Sequence, residues 1–264
     1  MSHFTVLVPA TDEKHLESVL LPYHEYECTG IDAYLEFVPE DMNELRDKYD
    51  QYEKDSTTYN LPGDFEKWIP EWCGAKQNDE GVWGRVTNQN AKWDWWSIGG
   101  RWSGLFKLKP EFAKLDKNDP VNVTLSERVD WNSMRQDQID NATKKWQDWH
   151  MLPPKPAGKF DRDDPAWQAW RKAMDDKDLL FYVDDEKMEH DLDTLPLDEY
   201  AAKYGTAKAL TFAYIDLNGQ WHERAKMGWF AITRNPNDSY DTDWWTFVTS
   251  LPTNTRIYLI DCHI

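Results

Sequence analysis

A short run from Lys92 to Gly104, KWDWWSIGGRWSG, carries the residue types of a small-ligand site. Trp93, Trp95, Trp96 and Trp102 offer flat rings, and aromatic rings that stand free stack on planar groups such as bases. Gly99 and Gly100 lack a Cβ, so a ligand can approach the backbone closely there. Arg101 presents a planar fork that meets a phosphate or carboxylate through two parallel hydrogen bonds. His222 and Arg224 share one side of a later predicted strand and join Arg101 if that side is open. The expected ligand-binding set is Trp95, Trp96, Gly99, Gly100, Arg101, Trp102, His222 and Arg224. The run has neither the P-loop spacing nor the dinucleotide fingerprint. The competing reading is plain core, because tryptophan is usually deeply buried. Strand alternation puts Trp93 and Trp95 on one face and Trp96 on the other, so core and site can divide the run between them.

A second group of residues offers metal or nucleophile chemistry. His24, Glu25, Glu27 and Cys28 lie near the start of the chain; Asp261, Cys262 and His263 lie at its end. If the terminal strands pair, His24 or Cys28 comes close to Cys262 or His263. These four are the candidate metal ligands, but their spacing fits no zinc signature. Cysteine with histidine is also a nucleophile pair. Packing is the plainer expectation, with small buried cysteines and backbone-satisfied histidines. Asn237, Asp238, Asp241 and Asp243 lack the glycine and terminal glutamate of a calcium loop, and Asp241 reads as a helix cap. No Ser-His-Asp elbow, HExxH helix, paired CxxC or kinase signature occurs, so no catalytic residue and no cofactor is assigned.

The elements that must position these groups are readable at both ends of the chain. HFTVLVP is a first strand, and TDEKHLESVLL a helix capped by Thr11 or Asp12 and stopped by Pro22. YLEF reads as a short strand and PEDMNELRDKYDQYEKD as a charged helix; the stretch from there to about Asn90 is loop-rich and carries no clear period. The tryptophan run reads as two strands joined by a tight Gly99-Gly100 turn. From about Ser126 the spacing turns helical, through WNSMRQDQIDNATKKWQDWHM, DDPAWQAWRKAM and PLDEYAAKYG. ALTFAYIDLNGQWHERAKM is a hairpin with Asn218-Gly219 at its turn, GWFAITR a strand, DTDWWTFVTSL a helix and TRIYLIDCHI a final strand. The expected fold is α+β: a mostly antiparallel, ferredoxin-like sheet with helices on one face and a helical insertion. Residues 1–125 and 209–264 form the two halves of that domain, and 126–208 the insertion.

Lys and Arg total 30 against 48 Asp and Glu, a formal charge of −18. Such a surface repels phosphates and argues against general nucleic-acid binding. It leaves an acidic globular protein, a partner for basic surfaces, or a nucleic-acid mimic; local basic pockets survive inside an acidic whole. No apolar run reaches the roughly eighteen residues of a membrane span. MSHFTVLVPATDEKH lacks the basic start and long apolar core of a signal peptide. Three cysteines without framework spacing favour a reducing, cytoplasmic setting.

Taken together, MSHFTVLV, LLPYHEYECTG, NQNAKWDWWSIGGRWSG and the terminal DCHI resemble a group of bacteriophage and bacterial mobile-element proteins of unassigned activity. The resemblance covers both ends and skips the helical middle. It implies the cytoplasm of an infected bacterium and a protein that counters host defence. The leading expectation is a ligand-binding protein that sequesters a nucleotide-like host immune signal. The alternatives are an acidic inhibitor or mimic directed at a host nucleic-acid-handling protein, and a hydrolase using a His/Cys site. The expected partners are a small nucleotide-like ligand or a host defence protein, with no membrane; the sequence leaves the oligomeric state open.

Overall fold

The computed structural model describes residues 2–25, 32–54, 64–113, 121–179, 186–227 and 233–264. Strand β1 (His3–Pro9) is apolar and β-branched, and it leads into helix α1 (Glu13–Leu20). The Asp12 carboxylate opens that helix by accepting from the His15 N–H at 2.8 Å. Then come β2 (Glu36–Pro39), α2 (Met42–Lys54), α3 (Phe65–Cys73), β3 (Lys76–Gln77) and β4 (Trp83–Thr87). β5 (Trp95–Ile98) holds the tryptophan run, and β6 (Val123–Leu125) follows. The helical middle contains α4 (Trp131–His150), α5 (Pro165–Asp175), α6 (Glu186–Thr194) and α7 (Leu197–Ala201). The last part has β7 (Ala213–Ile215), β8 (Trp221–Glu223), β9 (Lys226–Met227), β10 (Thr233–Arg234), α8 (Tyr240–Ser250) and β11 (Arg256–His263).

The chain is α+β, and its strand pairs are mostly antiparallel. The central sheet runs β5-β11-β1-β7-β8, with β6 also on β11. β1 and β11, the two ends of the chain, pair along their whole length from His3↔His263 to Pro9↔Ile257. β7 and β8 form the expected hairpin, with Gly219 in the left-handed region at φ 79°. The parallel β1–β7 pair makes the sheet mixed, where an all-antiparallel ferredoxin-like sheet has none.

The helices do not gather on one face, and the reason is the alternation of β1 and β11. Phe4, Val6 and Val8 of β1 and Tyr258, Ile260 and Cys262 of β11 point to the side covered by Leu16 and Leu20 of α1. Leu7, Ile257 and Leu259 point to the other side, covered by Trp244 and Val248 of α8 and by Met134 of α4. A strand apolar on both faces needs a cover on both.

The middle segment stands outside the central sheet as helices around its own core of Trp149, Trp167, Trp170, Met174, Leu192 and Tyr200. Gly205, in a π turn after α7, lies so close to α4 that an added Cβ would stand 2.7 Å from the Ile139 Cα. The stretch between the charged helix and Asn90, expected to be loop-rich, holds α3, β3 and β4; its strands join β2 in a sheet β2-β4-β3 over a core of Leu45, Tyr49, Trp68 and Ile69. Its strands are short and half-exposed, and Pro70 sits inside α3, so neither periodicity stands out in the sequence. The strand expected at GWFAITR lies mostly outside the described residues; β10 is its described end.

Candidate functional site

The sheet register lines up side chains in rows across neighbouring strands. His3 pairs with His263, and His263 with Trp95, so one row on one face reads His3, His263, Trp95. The next row reads Thr5, Asp261, Ser97. These rows lie on the Leu7 face of the sheet, at the end where β1 begins and β11 finishes. Here apolar residues give way to buried polar ones: Thr5, Asp261 and His263 are all less than a tenth exposed.

Two carboxylate–imidazole pairs result. His3 Nδ1 lies 2.9 Å from Asp261 Oδ1, and His263 Nδ1 lies 2.6 Å from Asp94 Oδ1. An ionised carboxylate only accepts, so each Nδ1 donates to its carboxylate. The ring centroids of His3 and His263 are 5.0 Å apart. Trp95 stacks on His263 at 5.3 Å with an interplanar angle of 14°, and His3 meets the edge of Trp95 at 5.2 Å. Trp95 itself is 44% exposed, while His263 Nε2 is buried and has no hydrogen-bond partner among the described residues.

The two glycines serve this arrangement. The chain turns after β5 with Gly99 at φ 75° and Gly100 at φ 47°. A Cβ on Gly100 would stand 2.2 Å from Asp261 Oδ2, and one on Gly99 would stand 2.3 Å from Asn122 Nδ2. The space that was to receive a ligand is filled by protein side chains. The second Asp261 oxygen accepts from the Arg101 backbone N–H at 3.0 Å. Asn122 accepts from the Gly104 N–H and donates to Ser103 Oγ, which pins the outer side of the turn. No hairpin forms at the glycines: β5 pairs with β11, and a single 3₁₀ turn, Gly100–Trp102, follows.

The expected site residues therefore scatter. Trp95 is in the row. Trp96 faces the α1 side with Trp93, and Trp102 packs against the α8 core. Trp93 and Trp95 part company because Trp93 precedes β5 and bridges His24, so the alternation does not run through Asp94. Arg101 is exposed, and only its backbone N–H is engaged among the described residues. His222 and Arg224 belong to the β8 end, on the far edge from β5, roughly 19 Å away at ordinary strand spacing. His222 stacks on Tyr214 at 4.6 Å, and Arg224 donates to the Asp241 carboxylate at 2.9 Å. Asp241 thus closes this ion pair and accepts from the Ala209 N–H, while the cap of α8 is Ser239.

Of the metal candidates, His263 is in the row, and His24 reaches it indirectly. His24 Nε2 lies 3.0 Å from the Asp94 carbonyl oxygen, on the residue whose carboxylate holds His263. Cys262 points to the opposite face, where full burial pushes its thiol well above the ordinary range. Cys28 lies outside the described residues. No group of three or more His, Cys, Asp or Glu able to hold a metal ion occurs among the described residues.

His3 and Asp94 were not singled out in the sequence. Alternation back from His263 reaches Asp261, and pairing of the terminal strands brings in His3; Asp94 gives no such signal, since it lies before β5. A cavity of about 560 Å³ lies at the opposite end of the sheet, beside Pro9, His15, Asp216 and Arg256. Its carboxylate is already served: burial pushes Asp216 up, but the Gln220 and Asn218 N–H groups and His222 outweigh it and hold it below the usual range.

Comparison with protein-family models, with curated proteins and with solved structures finds no match for this chain. No helix among the described residues is long and apolar enough to cross a membrane.

Proposed function

We propose that the protein binds a small, flat, nucleotide-like molecule at the His3–His263–Trp95 row. One observation carries this reading. Three segments far apart in sequence, HFT at the start, WDWWSIGGR in the middle and DCH at the end, meet in one polar patch. Much of Trp95 is exposed beside two imidazoles and next to a turn that presents Arg101 to solvent. An exposed indole is a stacking platform for a base. Imidazoles and a guanidinium are donors for a phosphate, and they give a local site for an anion on a chain of formal charge −18.

These are also the segments that carry the resemblance to bacteriophage and mobile-element proteins. On that reading the protein works in the cytoplasm of an infected bacterium, and a nucleotide-like defence signal is a ligand of the right chemistry. Calorimetric titration with mono-, di- and cyclic nucleotides tests the proposal. At least one should give saturable heat that Trp95→Ala or Arg101→Ala weakens by tenfold or more. Absence of heat across the panel overturns it.

A further inference from the structure

We infer that the cavity between α4 and the π turn after α7 is a binding site for phosphate, as the free ion or as the phosphoryl end of a small ester. This site is separate from the His3–His263–Trp95 row and does not depend on it. Gln138, Asn141 and Lys145 recur along α4 at helical spacing, so they share one face. Opposite that face stand Tyr200 of α7 and Tyr204 of the π turn Ala202–Thr206, and Lys208 follows just beyond the turn. These six residues line a cavity of about 160 Å³. Gly205 brings the two walls together, since a Cβ there would stand 2.7 Å from the Ile139 Cα. Single π turns in helical segments occur often at functional sites.

The lining is rich in donors. Lysine, glutamine and asparagine side chains and the Tyr200 hydroxyl all carry N–H or O–H groups, and no carboxylate lines the cavity among the described residues. Two nearby carboxylates are committed elsewhere. Asp191 accepts from Lys203 and from the Tyr204 hydroxyl, and Asp241 accepts from Arg224 at 2.9 Å. Burial pushes Lys208 below the usual lysine range; the Arg224 and Lys145 charges add to it, and Asp241 opposes them. Burial also lowers Lys145, against the pull of Asp178. Two ammonium groups that repel each other in a half-buried cavity are stabilised together by one anion placed between them. In a chain of formal charge −18 the cavity is a local reversal of sign. Two positive charges favour a dianion over chloride or a single carboxylate, and lysine binds phosphate as a point charge. Size narrows the choice further. At roughly 30 Å³ per water, 160 Å³ holds about five waters, which is room for one tetrahedral oxyanion and not for a base with its ribose.

The test is calorimetric titration of the full chain with inorganic phosphate, with methyl phosphate and with sodium chloride of matched ionic strength, at neutral pH in a phosphate-free buffer. Phosphate should give saturable heat with one site per chain, and chloride should give none. Lys208→Met and Lys145→Met should each weaken phosphate by about tenfold or more, the worth of one charge-assisted hydrogen bond. Lys172→Met removes the same charge from an exposed pair on α5 and should change the affinity by less than about twofold. Lys208→Met should not lower the melting temperature of the ligand-free protein, because it removes a buried, repelled charge; its loss of binding is then not a loss of fold. If Lys145→Met does not fold, Lys208→Met against Lys172→Met carries the comparison. Tighter binding of phosphate than of methyl phosphate assigns the free ion, and the reverse assigns an esterified phosphoryl group; either result supports the site. Absence of saturable heat from both overturns it, and so does equal heat in the wild type and in Lys208→Met. Binding at the Trp95 row is read with nucleotides, so failure here leaves that reading standing.

Discussion

Gly100 has little freedom to become any other residue. Its φ is +47°, and a Cβ there would press on the Asp261 carboxylate at 2.2 Å. Gly100→Ala should therefore destabilise the fold by about 1–3 kcal/mol from backbone strain and displace Asp261 from His3. Urea unfolding measures the first effect. Arg101 should behave in the opposite way. Its side chain is exposed, so Arg101→Ala should leave the ligand-free melting temperature within the range of ordinary surface changes, about 0.5 kcal/mol in equivalent stability. The buried Asp261 carboxylate takes the backbone N–H of Arg101 and leaves the guanidinium in solvent. A large loss of ligand-free stability in Arg101→Ala would make the turn scaffold alone.

At the level of elements, the helical middle is held to itself by buried carboxylates as well as by tryptophans. Hydrogen bonds from Lys144 and Lys177 hold Asp148 below the usual carboxylate range. Its folded value lies below its unfolded value, so the contribution is complete above the unfolded pKa of about 4 and is lost as pH falls through the folded value. Asp148→Asn should thus cost on the order of 1 kcal/mol at neutral pH and progressively less in acid, read by denaturation at two pH values. Lys208 is the reverse case: burial, and then the nearby Arg224 charge, push its ammonium below the usual lysine range. The cost is present while Lys208 is charged and is relieved as pH rises past the depressed value. Lys208→Met should stabilise the protein by about 1 kcal/mol at pH 7. The long periodic helices of this segment were legible because α4 and α5 repeat their apolar positions over several turns and begin at Asp130 and Asp164. Strands β3 and β4 were not, because a strand of two to five half-exposed residues carries too little alternation to separate from loop.

For the whole molecule, what decides the site is which strands are neighbours. The first and last strands were legible as strands, and their pairing follows from two apolar runs that each need a partner. Their partners on either side were not legible. The sheet order sets β5 beside β11 and sends β8 to the far edge, so Trp95 joins the terminal histidines while His222 and Arg224 do not. A tryptophan run in sequence therefore becomes mostly core, with one ring contributed to a polar patch assembled from both chain ends. The central claim is that this patch is a ligand site. It is tested most directly by long-range ¹H–¹⁵N spectra of the imidazoles during titration with a cyclic dinucleotide, since the chain holds only 7 histidines. The account predicts Nδ1-protonated rings for His3 and His263 in the free protein, and saturable shifts of these two while His15, His150 and His222 stay in place. Saturable shifts confined to His15 or His222, with His3 and His263 unmoved, would contradict it.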